Sequence, residues 1–477
     1  MEFFVPYLFG IFIWGASALM LVFRKTQWLL IFSIVLATSQ SSSVLNFSFA
    51  DKGHGIEPAL ISFFCFMVSV FFEKDRNSYV QTVKKIWPFY IFLIWALILN
   101  FLGPFLFKGL TVANPWFEGP GIFEPLRWTY ANLTYSIYLL FYFAVFTSIL
   151  VDANLFNHVK VRQIFIAIFF AFILVFIISA AQVYLYLSNR MWPVFLLNNR
   201  LGVAQLYDQQ VAGMVRASST FIEPSQLALY LSGLFFGTLF LLIKSRNLFF
   251  IGFLVLMLLI SSNFFLTLSS TAYLVMLIGC IGALIISFFY GKKYELLKCF
   301  LLIVLIIGVF FIQSGILHAV LHTDISKGVL SHAATAYSQN ISQGFQDQFF
   351  HKMGTDSFHD RSMTDLQALK TFCSSYFMGV GGGSFRASSF FASFLVGNGL
   401  IGLILIFWFF IKIFRLNKNT KDRSELFKTA RIFFGLCFLG DILAASISVA
   451  DINIASLWIN LALWVSFILL KEEKIKT

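Results

Sequence analysis

The residues that could carry chemistry gather at a few places in the chain. Three Glu-Pro steps recur, in Ile56-Glu57-Pro58, Phe123-Glu124-Pro125 and Ile222-Glu223-Pro224, and an apolar run follows the first and third directly. Proline suits the first turn of a helix and a carboxylate suits its positive end, so each glutamate can be read as a helix-start device. Glu223 keeps different company, with Arg216-Ala-Ser-Ser-Thr-Phe-Ile before it and Ser225 and Gln226 after it. That leaves two readings of Glu223, a helix start and a functional carboxylate. The glycines Gly379, Gly381, Gly382 and Gly383 have the look of a phosphate loop. They follow a predicted helix instead of a strand and lack a Gly-Lys-Ser/Thr ending, so a helix C-cap and a tight re-entry into the membrane are expected. No Cys/His cluster has metal-ligand spacing, and of the five cysteines only Cys373 falls in a loop expected on the outer side. Disulfides are therefore not expected.

The elements that must position these residues are membrane helices. Of the 477 residues 59% are hydrophobic and 12% charged, with a mean hydropathy of +0.84. A soluble domain carries about a quarter charged residues, so an ordinary cytosolic enzyme and a disordered chain are both excluded. Apolar runs long enough to cross a bilayer recur near 3–23, 28–48, 59–72, 86–106, 133–151, 164–187, 225–243, 248–262, 268–290, 299–313, 389–411, 432–450 and 454–470. The fold class expected is an all-α polytopic membrane protein of about 13 transmembrane helices (11–14), a single transmembrane domain over 1–477. The first run lacks a basic start and a small-residue cleavage pattern, so it is expected to be a retained helix.

Net charge is +12, and its distribution is a topology signal. Connections on one side hold 23 Lys and Arg in short tethers, and those on the other hold 11 in much longer loops. Basic flanks stay cytoplasmic, which puts the N-terminus outside, the C-terminus inside, and calls for no nucleic-acid partner. The long loops, 107–132, 188–224 and 314–388, are outer, and they contain Trp, Tyr, His, Arg and carboxylates. Loops of that length are uncommon unless functional or disordered, so any chemistry is expected outside. Within the largest, Ala333, Tyr337, Ile341, Phe345 and Phe349 make one helical stripe that could lie on the bilayer or cap a cavity. A second helix is expected from an N-cap at Ser362 to about Phe377, with Leu366, Leu369, Phe372 and Tyr376 as its apolar face.

These segments together resemble the O-antigen polymerase and ligase superfamily. In that family an Arg, small residues, an aromatic, Glu or His, Pro, then Asn or Ser lead from a long periplasmic loop into a helix, as Arg216 to Tyr230 do here. Leu266-Thr-Leu-Ser-Ser270-Thr-Ala is similar to the next span, which more often reads Ser-Arg. Asp360-Arg361-Ser-Met-Thr-Asp-Leu, Met378-Gly-Val-Gly-Gly-Gly-Ser-Phe385 and Gly397-Asn-Gly-Leu-Ile-Gly402 are similar to the second large loop and its exit helix. The likeness covers about 205–405 in order, and the N-terminal part agrees in hydropathy alone. The ligase branch places a His-Asn pair just after the glycines. Here Arg386-Ala-Ser388-Ser389-Phe stands instead, which favours the polymerase branch.

The resemblance implies a GT-C-like fold in a bacterial inner membrane, with the active site facing the periplasm. It implies metal-independent, inverting polymerisation of undecaprenyl-diphosphate-linked oligosaccharide units, as donor and acceptor, into O-antigen or a related surface polysaccharide. A chain-length regulator in the same membrane would be a further partner, and no cofactor is implied. The leaving diphosphate needs fixed cations, for which the planar arginine fork is suited. The acceptor hydroxyl needs a base, and the sugar's developing positive charge needs a carboxylate. Arg216 and Arg361 would clamp the diphosphate and Glu223 would be the base. Arg190 and Arg386 are candidates for the cation missing near Ser270, and Gln226, His351 and His359 for further substrate contacts. The alternatives are an O-antigen ligase joining polysaccharide to lipid A core and a transporter or flippase for the same lipid-linked units. Transporters place charges at the bilayer midplane, where Asp441 is the clear exception to otherwise uncharged spans.

Overall fold

A computed structural model describes residues 5–6, 8–49, 52–114, 122–153, 156–202, 207–211, 214–245, 248–290, 295–308, 356–418, 424–448 and 454–470. They are mostly helical: α1 (Leu8–Val22), α2 (Thr26–Leu36), α3 (Pro58–Glu73), α4 (Arg76–Leu106), α5 (Tyr130–Asp152), α6 (His158–Leu187), α7 (Val194–Leu197), α8 (Pro224–Lys244), α9 (Leu248–Thr267), α10 (Ser270–Tyr290), α11 (295–308), α12 (Asp356–Ser374), α13 (Phe390–Lys418), α14 (Glu425–Ser448) and α15 (Ala455–Leu469). Eight of these are long and apolar enough to cross a membrane: α4, α5, α6, α8, α9, α10, α13 and α14. The chain is a helical, multi-pass membrane protein.

Every apolar run read from the sequence corresponds to a helix, with one marked difference. The run 28–48 holds helix only to Leu36. The polar stretch Thr38-Ser-Gln-Ser-Ser-Ser43 ends it, because short hydroxyl side chains compete for the backbone; Thr38 Oγ1 donates to Val35 O at 2.9 Å. Beyond it the chain turns extended and builds small sheets that an all-α reading omits. Strands β1 (Val5–Pro6), β2 (Leu45–Phe49) and β3 (Lys52–Ile56) form an antiparallel sheet with Leu45 opposite Ile56. The pairs β4 (Thr111–Ala113) with β5 (Phe123–Pro125) and β6 (Gln210–Val211) with β7 (Met214–Val215) are hairpins in the other long connections.

Helix α8 is the buried axis, packed against α14, α9 and α10, while α4 packs on α13 and α5. Gly233, Gly237 and Gly440 let α8 and α14 approach closely, since a Cβ at Gly237 would meet Cys437 and Phe433. Asp441 lies in this seam, fully buried, and accepts a hydrogen bond from Asn460 Nδ2 at 2.8 Å. Helix α4 carries two interior prolines, each of which strips a hydrogen bond from the carbonyl four residues earlier. Both carbonyls find other donors: Lys84 O takes Lys412 Nζ at 3.1 Å, and Asn100 O takes Asn132 Nδ2 at 3.2 Å.

The connections separate into two groups that bond within themselves. At one end Lys74 and Lys160 face Asp152, Lys244 pairs with Glu425, and Lys298 Nζ donates to Ile243 O at 3.0 Å. At the other, Ser43 N donates to Asn199 Oδ1 (2.7 Å), Ala217 N to Leu266 O (2.9 Å), and Thr371 Oγ1 to Thr111 O (3.0 Å).

Candidate functional site

The segment before α8 is locked by its neighbours at the end with the long loops. Gln182, in the last turns of α6, accepts from the N–H groups of Ser218 (3.0 Å) and Ser219 (2.9 Å), and donates to Tyr207 O (2.7 Å). Ser219 sits at φ +54, and its hydroxyl donates to Val175 O at 2.9 Å. Thr220 Oγ1 donates to Thr38 O (2.5 Å), while Ser41 N donates to Thr220 O (3.0 Å). Ala217 N reaches Leu266 O at the end of α9 (2.9 Å). Arg216 and Glu223 thus flank a buried, cross-braced turn.

Arg216 is held along its length. Its Nε donates to Thr267 O at 3.2 Å and its Nη1 to Gln209 Oε1 at 2.7 Å. Burial draws its pKa below the ordinary guanidinium value. The Glu223 carboxylate opposes that shift, the Arg361 guanidinium adds to it, and Tyr273 opposes it weakly. Glu223, Tyr273 and Arg361 each lie within electrostatic reach of Arg216, although Arg361 belongs to α12. The segments around 216–226 and 266–273 are joined by hydrogen bonds, and Arg361 of the third acts on Arg216 through its charge.

Glu223 occupies the N-cap position of α8, extended at φ −146° and ψ 159°. Its backbone carbonyl accepts from Gln226 N (3.1 Å) and Leu227 N (3.3 Å), but its side chain makes no bond to the helix N-terminus. Ser225 Oγ donates to the carboxylate instead. The helix start is thus served by the backbone and by Pro224, and the carboxylate is left half-buried within electrostatic reach of Arg216. Glu57, the N-cap residue of α3, differs: it is buried and paired with Arg200. Glu124 lies in β5 and accepts from Asn114 Nδ2 (2.8 Å) and Arg127 Nη2 (3.1 Å).

The expectation of an N-cap at Ser362 is corrected. Helix α12 already includes Asp356, so Ser362 and Arg361 lie inside it, and Arg361 gains nothing from free helix-start N–H groups. Asp365, expected to close a capping box on Ser362, instead accepts from Ser388 N (2.7 Å) and Ser389 N (3.1 Å). Those donors stand unbonded at the start of α13, so they offer the carboxylate a better partnership than a mid-helix serine. Of the apolar face expected for α12, Phe372 is partly buried against Ala368 and its neighbours. Leu366, Leu369 and Tyr376 are exposed, and Thr364, Ala368, Thr371 and Ser375 are buried.

The helix ends without a glycine. Tyr376 takes the left-handed conformation at φ +53, Tyr376 N donates to Cys373 O (3.1 Å) and Phe377 N to Phe372 O (3.0 Å). The Phe372 and Phe377 rings close this C-cap with centroids 5.2 Å apart. The glycines have another use, as a backbone wedge between α4, α5 and α13. Gly381, at φ +88, lies against the Leu99 carbonyl with no room for a Cβ. Val380 N and Gly381 N donate to Val396 O (2.7 Å) and Gly397 O (3.2 Å), where Gly399 breaks α13. Asn100 Oδ1 accepts Gly382 N (2.5 Å) and Asn132 Nδ2 donates to Gly382 O (3.0 Å).

Among the described residues, none of the remaining candidates shares a hydrogen bond or ion pair with Arg216. Arg386 pairs with Asp360 at 3.1 Å, and its N–H donates to Ala113 O at 3.0 Å, so it fastens α12 to β4. Arg190 is exposed just past α6, where its N–H closes the helix on Leu185 O (2.8 Å). His359 is exposed on α12. Gln226 is in the first turn of α8, its Oε1 buried and without a hydrogen-bond partner among the described residues. His351 and the stripe from Ala333 to Phe349 lie outside the described residues. Sequence reasoning missed Gln182, whose signal is a lone amide in an otherwise apolar stretch, and Gln209, which has none. No family model matches the chain, and no curated protein matches it.

Proposed function

We propose that this protein is a lipid-linked oligosaccharide polymerase, a metal-independent, inverting glycosyltransferase that builds O-antigen or a related surface polysaccharide. The proposal places some 13 spans in a GT-C-like arrangement in a bacterial inner membrane, with the N-terminus and the Arg216 site periplasmic and the C-terminus cytoplasmic. The observation that supports it is that Arg216 lies within electrostatic reach of Glu223, in its own segment, and of Arg361, which α12 brings from far along the chain. Two cations beside one carboxylate leave a net positive site, which suits a diphosphate. In the reaction an acceptor hydroxyl oxygen attacks the anomeric carbon of the donor sugar as the bond to the diphosphate oxygen breaks. Glu223 takes the hydroxyl proton, and the electron pair leaves on the undecaprenyl diphosphate between the arginines. One displacement inverts the anomeric carbon.

Deletion in the native host followed by analysis of its surface polysaccharide tests this reading. A polymerase mutant keeps a single repeat unit on the cell surface. Complete absence of the polysaccharide would instead indicate a ligase or a flippase. The transporter reading draws on Asp441, a carboxylate buried between α8 and α14.

A further inference from the structure

We propose that α12 is a re-entrant membrane helix whose large apolar face is seated among the acyl chains of the outer leaflet. The inference depends on the protein being membrane-embedded and not on the transfer reaction.

The first observation is the polarity of the helix. Thr364, Ala368, Thr371 and Ser375 turn inward, toward β4 and α13, with Phe372 partly buried among them, while Met363, Leu366 and Leu369 turn outward beside Ser362, Lys370 and Ser374. The turn that follows exposes Tyr376 to 82% and Phe377 to 51%. A helix that packs in water does the reverse and buries its large apolar side chains. Helices that pack within a bilayer use small residues against their neighbours and give the large ones to lipid.

The second observation is depth. Gly381 abuts the Leu99 carbonyl, seven residues before α4 ends at Leu106. At 1.5 Å per residue that lies about 10 Å below the helix end. Gly379 abuts Gly399, nine residues into α13, or about 13 Å along it. The chain after α12 therefore descends beside the bilayer-spanning helices before α13 begins. Its irregular backbone is buried in protein there and bonded to α4, α5 and α13, as non-helical chain at that depth must be.

The third observation is continuity. Leu400 N bonds to Phe377 O at 2.8 Å, so the exposed turn abuts α13, where Leu400 and Phe391 are themselves exposed. Phe105 and Leu106 of α4, beside the same loop, are exposed as well. The α12 face extends this lipid-facing belt. Lys108 is exposed just past α4 and Lys370 on the outward side of α12 itself, where long basic side chains can extend to phosphate headgroups. Arg361 lies on the other flank of α12, so lipid contact sets its height relative to Arg216.

Cys373 is exposed on this face and serves as the probe. In a chain with Cys65, Cys280, Cys299 and Cys437 changed to alanine, Cys373 is labelled with a small fluorophore and the protein placed in nanodiscs. Lipids carrying a nitroxide on the acyl chain should quench it at least threefold more than aqueous iodide does. Stronger quenching by iodide would overturn the proposal. So would protection from both quenchers, which would mean that protein covers the face. If the alanine variant fails to fold, the unmodified protein is photolabelled with a diazirine-bearing lipid. Adducts on residues 363–378 should match the yield on 101–106 of α4, and their absence would overturn the proposal equally.

Discussion

The amide oxygen of Gln182 accepts hydrogen bonds from two consecutive backbone N–H groups, Ser218 at 3.0 Å and Ser219 at 2.9 Å. This side chain holds the turn on which Arg216 and Glu223 depend, and it does so from inside an apolar helix. Gln182→Ala would leave both buried donors without an acceptor, at about 1–3 kcal/mol each before relaxation. The variant should melt several degrees lower in detergent and lose transfer activity in the fraction that stays folded. An unchanged melting temperature would show that the turn is held by its other bonds.

Arg216 and Arg361 should respond alike to substitution if both face the leaving diphosphate. Arg→Ala at either position should cost about 2–4 kcal/mol of barrier, or roughly 10²–10³ in rate. Arg216→Lys should recover only part of this, because a compact ammonium replaces a planar fork that reaches Thr267 O and Gln209 from two separate nitrogens. The measurement is polymer formation from purified lipid-linked units at matched thermal stability. Wild-type rates for both alanine variants would remove the clamp.

Glu223→Gln separates the two roles that its position allows. The side chain makes no bond to the helix N-terminus, so the loss of charge should cost α8 well under about 1 kcal/mol. A catalytic carboxylate should nevertheless lose polymer synthesis while protein level and melting temperature hold. Full-length polymer from this variant would leave Glu223 as a helix start.

The membrane helices were legible because their apolar runs are long and their breaks basic; Leu248–Thr267 and Glu425–Ser448 lie within a few residues of their expected positions or slightly extend them. The run through Leu45 was misread because its residues are as apolar in a strand as in a helix, and the Ser/Thr stretch before it carried the signal. Arg216, Glu223 and Arg361 could be singled out because local residue types mark the two segments that carry them, while the bonds that hold Arg216 to Gln209 and Thr267 left no mark in the sequence. The partner of Asp365 was not, because a Ser-x-x-Asp spacing reads the same whether the carboxylate turns back on its own helix or forward to Ser388. Nor was the outward face of α12: periodicity finds the apolar side of a helix but cannot tell lipid from protein as what it meets.

The last prediction concerns Glu57 and Arg200, which fasten β3 and the start of α3 to the chain after α7. Both side chains are nine-tenths buried or nearly so, at 8% and 10% exposed, and Arg200 Nη1 also donates to Gln40 O at 3.1 Å. Around them Asn46 Nδ2 donates to Asn199 O (2.7 Å) and Leu201 N to Asn46 Oδ1 (3.2 Å), so the two loops are zipped side by side. Removing one partner of such a pair strands a buried charge. Arg200→Leu should therefore destabilise the protein by about 3–5 kcal/mol. Glu57→Gln combined with Arg200→Leu removes the stranded carboxylate and should recover a large part of that loss, since a neutral amide costs far less to bury. Thermal unfolding of the two single variants and the double variant in the same detergent gives the coupling directly. Additive losses would mean that Glu57 and Arg200 act separately, and that the loops are held by the bonds of Asn46, Asn199 and the backbone.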